Sequence, residues 1–159
     1  MAATMTQTDV VSEFQERLRE LYENVKEWIR EEEPKAKFTE SSVELNEQFT
    51  GRYKAKSLTV IRPGQDALTF TPKAATVIGA RGWVEVRSGW GYEDLFWVYP
   101  GGALIGFEES ADGGVLVSPG HRLYPGVPEG WAWDDGEKMR LRHLTRDVFL
   151  KHVLRRLSE

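Results

Sequence analysis

Residue types able to do chemistry are thinly spread along this chain. Its three histidines, His121, His143 and His152, lie far apart, with no HExxH or similarly close pair, so a metal site would have to be assembled by the fold. There is no cysteine, which removes thiolate ligands, a thiol nucleophile and disulfides together. Ser118 precedes His121 by three residues in SPGH, but no GxSxG elbow surrounds it, and the stretch reads as a turn. Glu108, Glu109 and Asp112 miss the spacing of a calcium loop, as do Asp134 and Asp135, so both groups read as solvated turns. Neither a catalytic set, nor a metal, nor a cofactor is expected from these patterns.

One carboxylate pattern invites comparison. Asp66, followed by Glu85 and Arg87 on one face of a strand, resembles the PD-(D/E)xK nucleases, in which two acidic residues hold a divalent metal and a lysine positions the water. The resemblance covers this short region alone. Arg87 stands where the family has lysine, and a guanidinium that stays charged cannot take up a proton. Pro63 is three residues before Asp66, which displaces it from the family's proline. What the resemblance implies, as an alternative to a binding function, is a metal-dependent hydrolase or nuclease using sheet carboxylates.

Aromatic residues are more conspicuous. Residues 82–102, GWVEVRSGWGYEDLFWVYPGG, hold three of the six tryptophans. Trp83, Glu85 and Arg87 share one face of a strand because side chains alternate, while Leu95 and Trp97 share a face of the next, with Phe96 and Val98 on its other side. A strand apolar on both sides belongs in the middle of a fold, which makes Trp97 a core residue. Trp90 differs, because it stands between Gly89 and Gly91 in a turn, where no strand period explains a large ring, and Tyr92 follows. Trp131 and Trp133 in EGWAWDDGEK also share a strand face. They form either a stacking platform for a sugar, a base or a peptide proline, or a cap on the core beneath the proline-rich stretch 119–130, which reads as a surface loop. Trp90, Tyr92, Arg87, Trp131 and Trp133 are therefore the candidate binding residues.

The elements that must position them are legible in the apolar periods. From Thr8 to Glu33, Val10, Val11, Phe14, Leu18, Leu21, Val25, Trp28 and Ile29 recur at three and four positions, the stripe of an amphipathic helix. Ser12 with Gln15 suggests a capping box, Thr8 is a rival start, and Pro34 stops the pattern. Glu13 with Arg17, Glu23 with Lys26 and Glu27 with Arg30 stand at pairing distance on the opposite face. Beyond Pro34 the period becomes two, in SSVELNEQF, GRYKAKSLTVIR, DALTFTP, GWVEVRS and YEDLFWVYP, with Thr50-Gly51, Pro63-Gly64 and Gly89 as turns. Pro100-Gly101-Gly102 breaks YEDLFWVYP from a further expected strand in ALIGFEE, and another is expected in GGVLVSP. At the carboxyl end Thr145 caps a second amphipathic helix carrying Phe149, Leu150, Val153, Leu154 and Leu157. The expected fold is a single α+β domain over 1–159: an antiparallel, strongly twisted sheet or partial barrel (37–143) flanked by helices at 8–33 and 145–157.

Charge narrows the partners. The net charge is -4, with 21 basic residues, which disfavours long duplex nucleic acid bound through counterion release. Locally, Lys138, Arg140, Arg142, Arg146, Lys151, Arg155 and Arg156 face Asp147 alone, while the first helix is acidic, so the two ends are electrostatic complements expected to pack together. A nucleic-acid contact through the basic carboxyl-terminal helix is the remaining alternative. No signal segment or membrane span is read in the chain, and without cysteine the expectation is a cytoplasmic setting. These readings together favour a small intracellular binding module with a protein partner.

Overall fold

The computed structural model describes residues 6–77, 79–98, 107–109, 115–117, 127–136 and 141–158, with 107–109 and 115–117 described by backbone alone. The expectations placed on Pro100-Gly101-Gly102, Asp112, Ser118, His121, most of the 119–130 loop, Lys138 and Arg140, and on the side chains of Glu108 and Glu109, lie outside the described residues.

Helix α1 (Gln7–Glu32) buries Val10, Phe14, Leu18, Leu21, Tyr22, Val25 and Ile29, the three- and four-residue spacing of its sequence. Its start corrects the expectation. Neither Ser12 nor Thr8 caps it; Thr6 Oγ1 accepts from the Asp9 N–H at 3.1 Å, and the Thr6 N–H donates to Asp9 Oδ2 at 3.2 Å. Aspartate is one methylene shorter than the Glu or Gln of the usual motif but closes the same reciprocal pair. At the other end the Glu33 N–H still reaches Ile29 O, and Pro34 stops the helix.

Seven antiparallel strands follow in the order β1-β2-β3-β4-β5-β8-β9: β1 (Lys37–Glu47), β2 (Gly51–Ile61), β3 (Leu68–Ala74), β4 (Trp83–Arg87), β5 (Tyr92–Val98), β8 (Gly130–Asp134) and β9 (Leu141–His143). Strands β6 (Phe107–Glu109) and β7 (Val115–Val117) pair separately. The sheet is not closed, and β1 and β9 are its edges. Strand β1 begins at Lys37, earlier than the alternation from Ser41 suggests, because all eleven of its residues find partners on β2. The turn residues act as their conformations demand: Gly51 (φ 72°) ends the first hairpin loop. Pro63 and Gly64 (φ 75°) occupy a turn closed by the Gln65 N–H on Arg62 O at 3.2 Å.

One face of the sheet carries Leu58, Val60, Leu68, Phe70, Val84, Val86 and Leu95 against α1, all fully buried. Burial of each such side chain is worth about 1.5–3 kcal/mol. Tyr22 sits among them and donates its hydroxyl hydrogen to Lys56 O at 2.6 Å. A β carbon on Gly82 would lie 3.3 Å from Phe14 and Trp131, so glycine there lets β4 start hard against α1. The other face has a smaller cluster of Ala80, Val98, Ala132 and Leu141, joined by Phe96. Strand β5 is thus apolar on both sides.

The carboxyl-terminal segment is capped by Thr145 Oγ1, which accepts from the Val148 N–H at 3.2 Å. It is not one uninterrupted α-helix: α2 (Arg146–Val148) passes into a π-helical stretch (Phe149–Val153) and then α3 (Leu154–Leu157). The Leu154 N–H reaches back five residues to Phe149 O. Phe149, Val153 and Leu157 are buried at a spacing of four, which the wider turn keeps on one side. The segment meets the acidic end of α1, where Arg146 contacts Glu31 at 2.6 Å and Glu32 at 3.1 Å. Among the described residues no helix is long and apolar enough to cross a membrane.

Candidate functional site

Arg87 and Tyr92 face each other as the last and first residues of β4 and β5, and the tight turn between them carries Trp90. Hydrogen bonds centred on Ser88 hold the turn. The Ser88 N–H donates to Gly91 O at 2.9 Å and the Trp90 N–H to Ser88 Oγ at 3.0 Å. Ser88 Oγ in turn donates to Leu157 O at 2.6 Å, tying the turn to the end of α3. A β carbon on Gly89 would press on the exposed Asp66 carboxylate, which would have to swing aside. On this braced turn Trp90 is 65% exposed and Tyr92 56%. The Arg87 guanidinium lies 5.1 Å from the centre of the Tyr92 ring and pairs with Glu85 Oε1 at 3.0 Å. The register Thr59, Thr69, Arg87, Tyr92 across four strands puts Ile61, two residues beyond Thr59 and also exposed, on this same side and end of the sheet.

Trp131 and Trp133 share a strand face as expected, but that face lies under α1 and the carboxyl-terminal segment. They are 7% and 1% exposed, so they form no open platform. Trp131 donates from Nε1 to Arg17 O at 3.0 Å and meets Trp97 edge-on, with ring centres 6.0 Å apart. Trp133 donates to Glu93 Oε2 at 3.1 Å and stacks on His152. The guanidinium of Arg156 lies 4.7 Å from its ring centre. Trp97 is partly buried against the same cluster, with the Arg17 guanidinium 4.5 Å from its ring centre.

The opposite sheet face carries a row that only strand register reveals. Glu85, Asp94 and Asp134 are direct neighbours across β4, β5 and β8. Asp94 accepts from Trp83 Nε1 at 2.8 Å. Burial raises the Asp94 carboxyl above its usual range, and Glu85 and Asp134 push the same way, against the Trp83 hydrogen bond and Lys73. Glu85 is engaged by Arg87, and Asp66 lies apart from this row, against Gly89. Among the described residues no three His, Asp or Glu side chains are grouped as metal ligands.

Sequence patterns gave no sign of Arg62, which follows the exposed Ile61 and precedes the Pro63-Gly64 turn, yet is itself buried. Comparison with protein-family models, with curated proteins and with solved structures found no match to this chain.

Proposed function

We propose that this protein is a small intracellular binding module that recognises a protein partner through the β4–β5 turn, with Trp90 and Tyr92 as anchors and Arg87 beside them. The observation that carries the reading is the exposure of Trp90 and Tyr92 on a turn tied through Ser88 to Leu157. Aromatic residues and arginine dominate the energetics of protein interfaces. A turn already held in place loses little freedom on binding, so more of its contact energy appears as affinity. Ile61 extends the apolar surface on the same side. The lack of cysteine supports the intracellular setting.

The test is site-specific photo-crosslinking in the native host extract. A photoreactive side chain at position 90 should give one discrete adduct that disappears in the Tyr92→Ala/Arg87→Ala background. The same group at Phe49, exposed on the β1–β2 loop at the other end of the sheet, should not give it. Adducts of equal yield from both positions, or none from position 90, would count against the reading.

A further inference from the structure

A cleft of about 420 Å³ opens between the end of α1, the end of β2 and the carboxyl-terminal segment. That volume falls within the roughly 300–1,000 Å³ of small-ligand sites. Its apolar lining is Ile29, Leu150 and Leu154. Its charged lining is unusual in one respect: Arg62 and Glu33, of opposite charge, each leave one buried side-chain atom without a hydrogen bond. Arg62 is only 5% exposed and its Nε is buried with no partner. Glu33 uses Oε1 to accept from Gln65 Nε2 at 2.6 Å, while its Oε2 is buried with no partner. Glu33 and Asp66 both lie near enough to Arg62 to act on its charge, but no ion pair within 4.0 Å joins Arg62 to a described residue.

The remaining charges are committed elsewhere or lie at the rim. Arg146 is engaged by Glu31 and Glu32, and Lys151 stands 3.9 Å from Asp147 in the open. Arg155 lines the rim and is exposed. A buried guanidinium Nε and a buried carboxylate oxygen without partners are each costly, and a ligand that both side chains turn to meet recovers that cost. An oxyanion alone would satisfy Arg62 and leave Glu33 repelled; a cation alone would do the reverse. The complementary ligand carries both charges on one short frame, with an apolar body for Ile29, Leu150 and Leu154.

We propose that the cleft binds a free α-amino acid with an apolar side chain, its carboxylate on Arg62 and Arg155 and its ammonium group on Glu33. This site is separate from the β4–β5 turn and does not depend on the partner proposed for it.

Isothermal titration of the full chain tests it, with L-leucine and L-methionine as ligands. The controls are 4-methylpentanoate, which lacks the ammonium group, 3-methylbutylamine, which lacks the carboxylate, and inorganic phosphate. Leucine or methionine should saturate one site at millimolar concentration or below. Each control should bind at least about tenfold more weakly, the worth of one charge-assisted hydrogen bond. Glu33→Gln, with its fold checked by circular dichroism, and the exposed-rim variant Arg155→Ala, at unchanged melting temperature, should weaken amino-acid binding by several fold, whereas Trp90→Ala should leave it unaltered. Absence of saturation by either amino acid, or phosphate or methylpentanoate binding as tightly, would overturn the proposal.

Discussion

Trp133 donates its indole hydrogen to Glu93 Oε2 at 3.1 Å, fixing a fully buried ring of β8 to a partly buried carboxylate of β5. Replacing that ring removes both a large core volume and the partner of a carboxylate that burial already penalises. Trp133→Ala should therefore cost about 3–5 kcal/mol, while Trp90→Ala, at an exposed turn, should change stability by no more than about 0.5 kcal/mol. Chemical unfolding of the two variants provides the comparison, and similar losses in both would contradict the assignment of core and surface.

Asp94 offers a test of the acidic row. Its carboxyl is raised above the unfolded value chiefly by burial, so the folded state binds a proton more readily than the unfolded chain does. Ionised, it therefore costs stability at neutral pH, and that cost is relieved as pH falls through its folded value. Asp94→Asn keeps an acceptor for Trp83 Nε1 and removes the charge facing Glu85 and Asp134. It should gain about 0.5 kcal/mol at pH 7, the scale of one cross-strand charge contact. Thermal unfolding should show the gain shrinking towards about pH 4, where carboxyl groups protonate; a gain independent of pH would speak against this account.

Arg146 joins the two ends of the chain through Glu31 and Glu32. All three side chains are substantially exposed, so the network is worth little in water. Arg146→Glu should lower stability in low salt, because it replaces attraction with repulsion, and much of the loss should vanish in concentrated salt. Arg155→Glu, at an exposed residue with no ion pair to a described residue, should be near neutral under both conditions. Equal, salt-independent losses would point to packing instead of charge.

Nucleic-acid binding through the carboxyl-terminal segment makes a contrasting demand. Arg146 is engaged by α1, and Arg156 approaches Glu93 at 3.8 Å and also donates to Asp135 O. With the chain at a net charge of -4, binding to duplex or single-stranded oligonucleotides should be weak. Fluorescence anisotropy should reveal none of the roughly 10³-fold loss between about 50 and 200 mM salt that six phosphate contacts produce. Tight, salt-sensitive binding abolished by Arg155→Glu/Arg156→Glu would reverse the conclusion.

Local periods were enough to place α1, the first five strands and the Pro63-Gly64 turn, because side-chain alternation and the demand for positive φ are properties of a few consecutive residues. The same alternation put Trp131 and Trp133 on one face of β8 without saying which. Only the docking of α1 and the carboxyl-terminal segment decided that this face points inward, leaving Trp90 and Tyr92 as the exposed aromatic pair. Glu85, Asp94 and Asp134 come from three strands, and a row of that kind exists only once pairing register is set. Arg62 shows the limit most sharply. Its neighbours Ile61 and Pro63 suggest a surface turn, yet α1 and the carboxyl-terminal segment close around it, and burial is a property of what packs over a residue and not of the residues beside it in the chain.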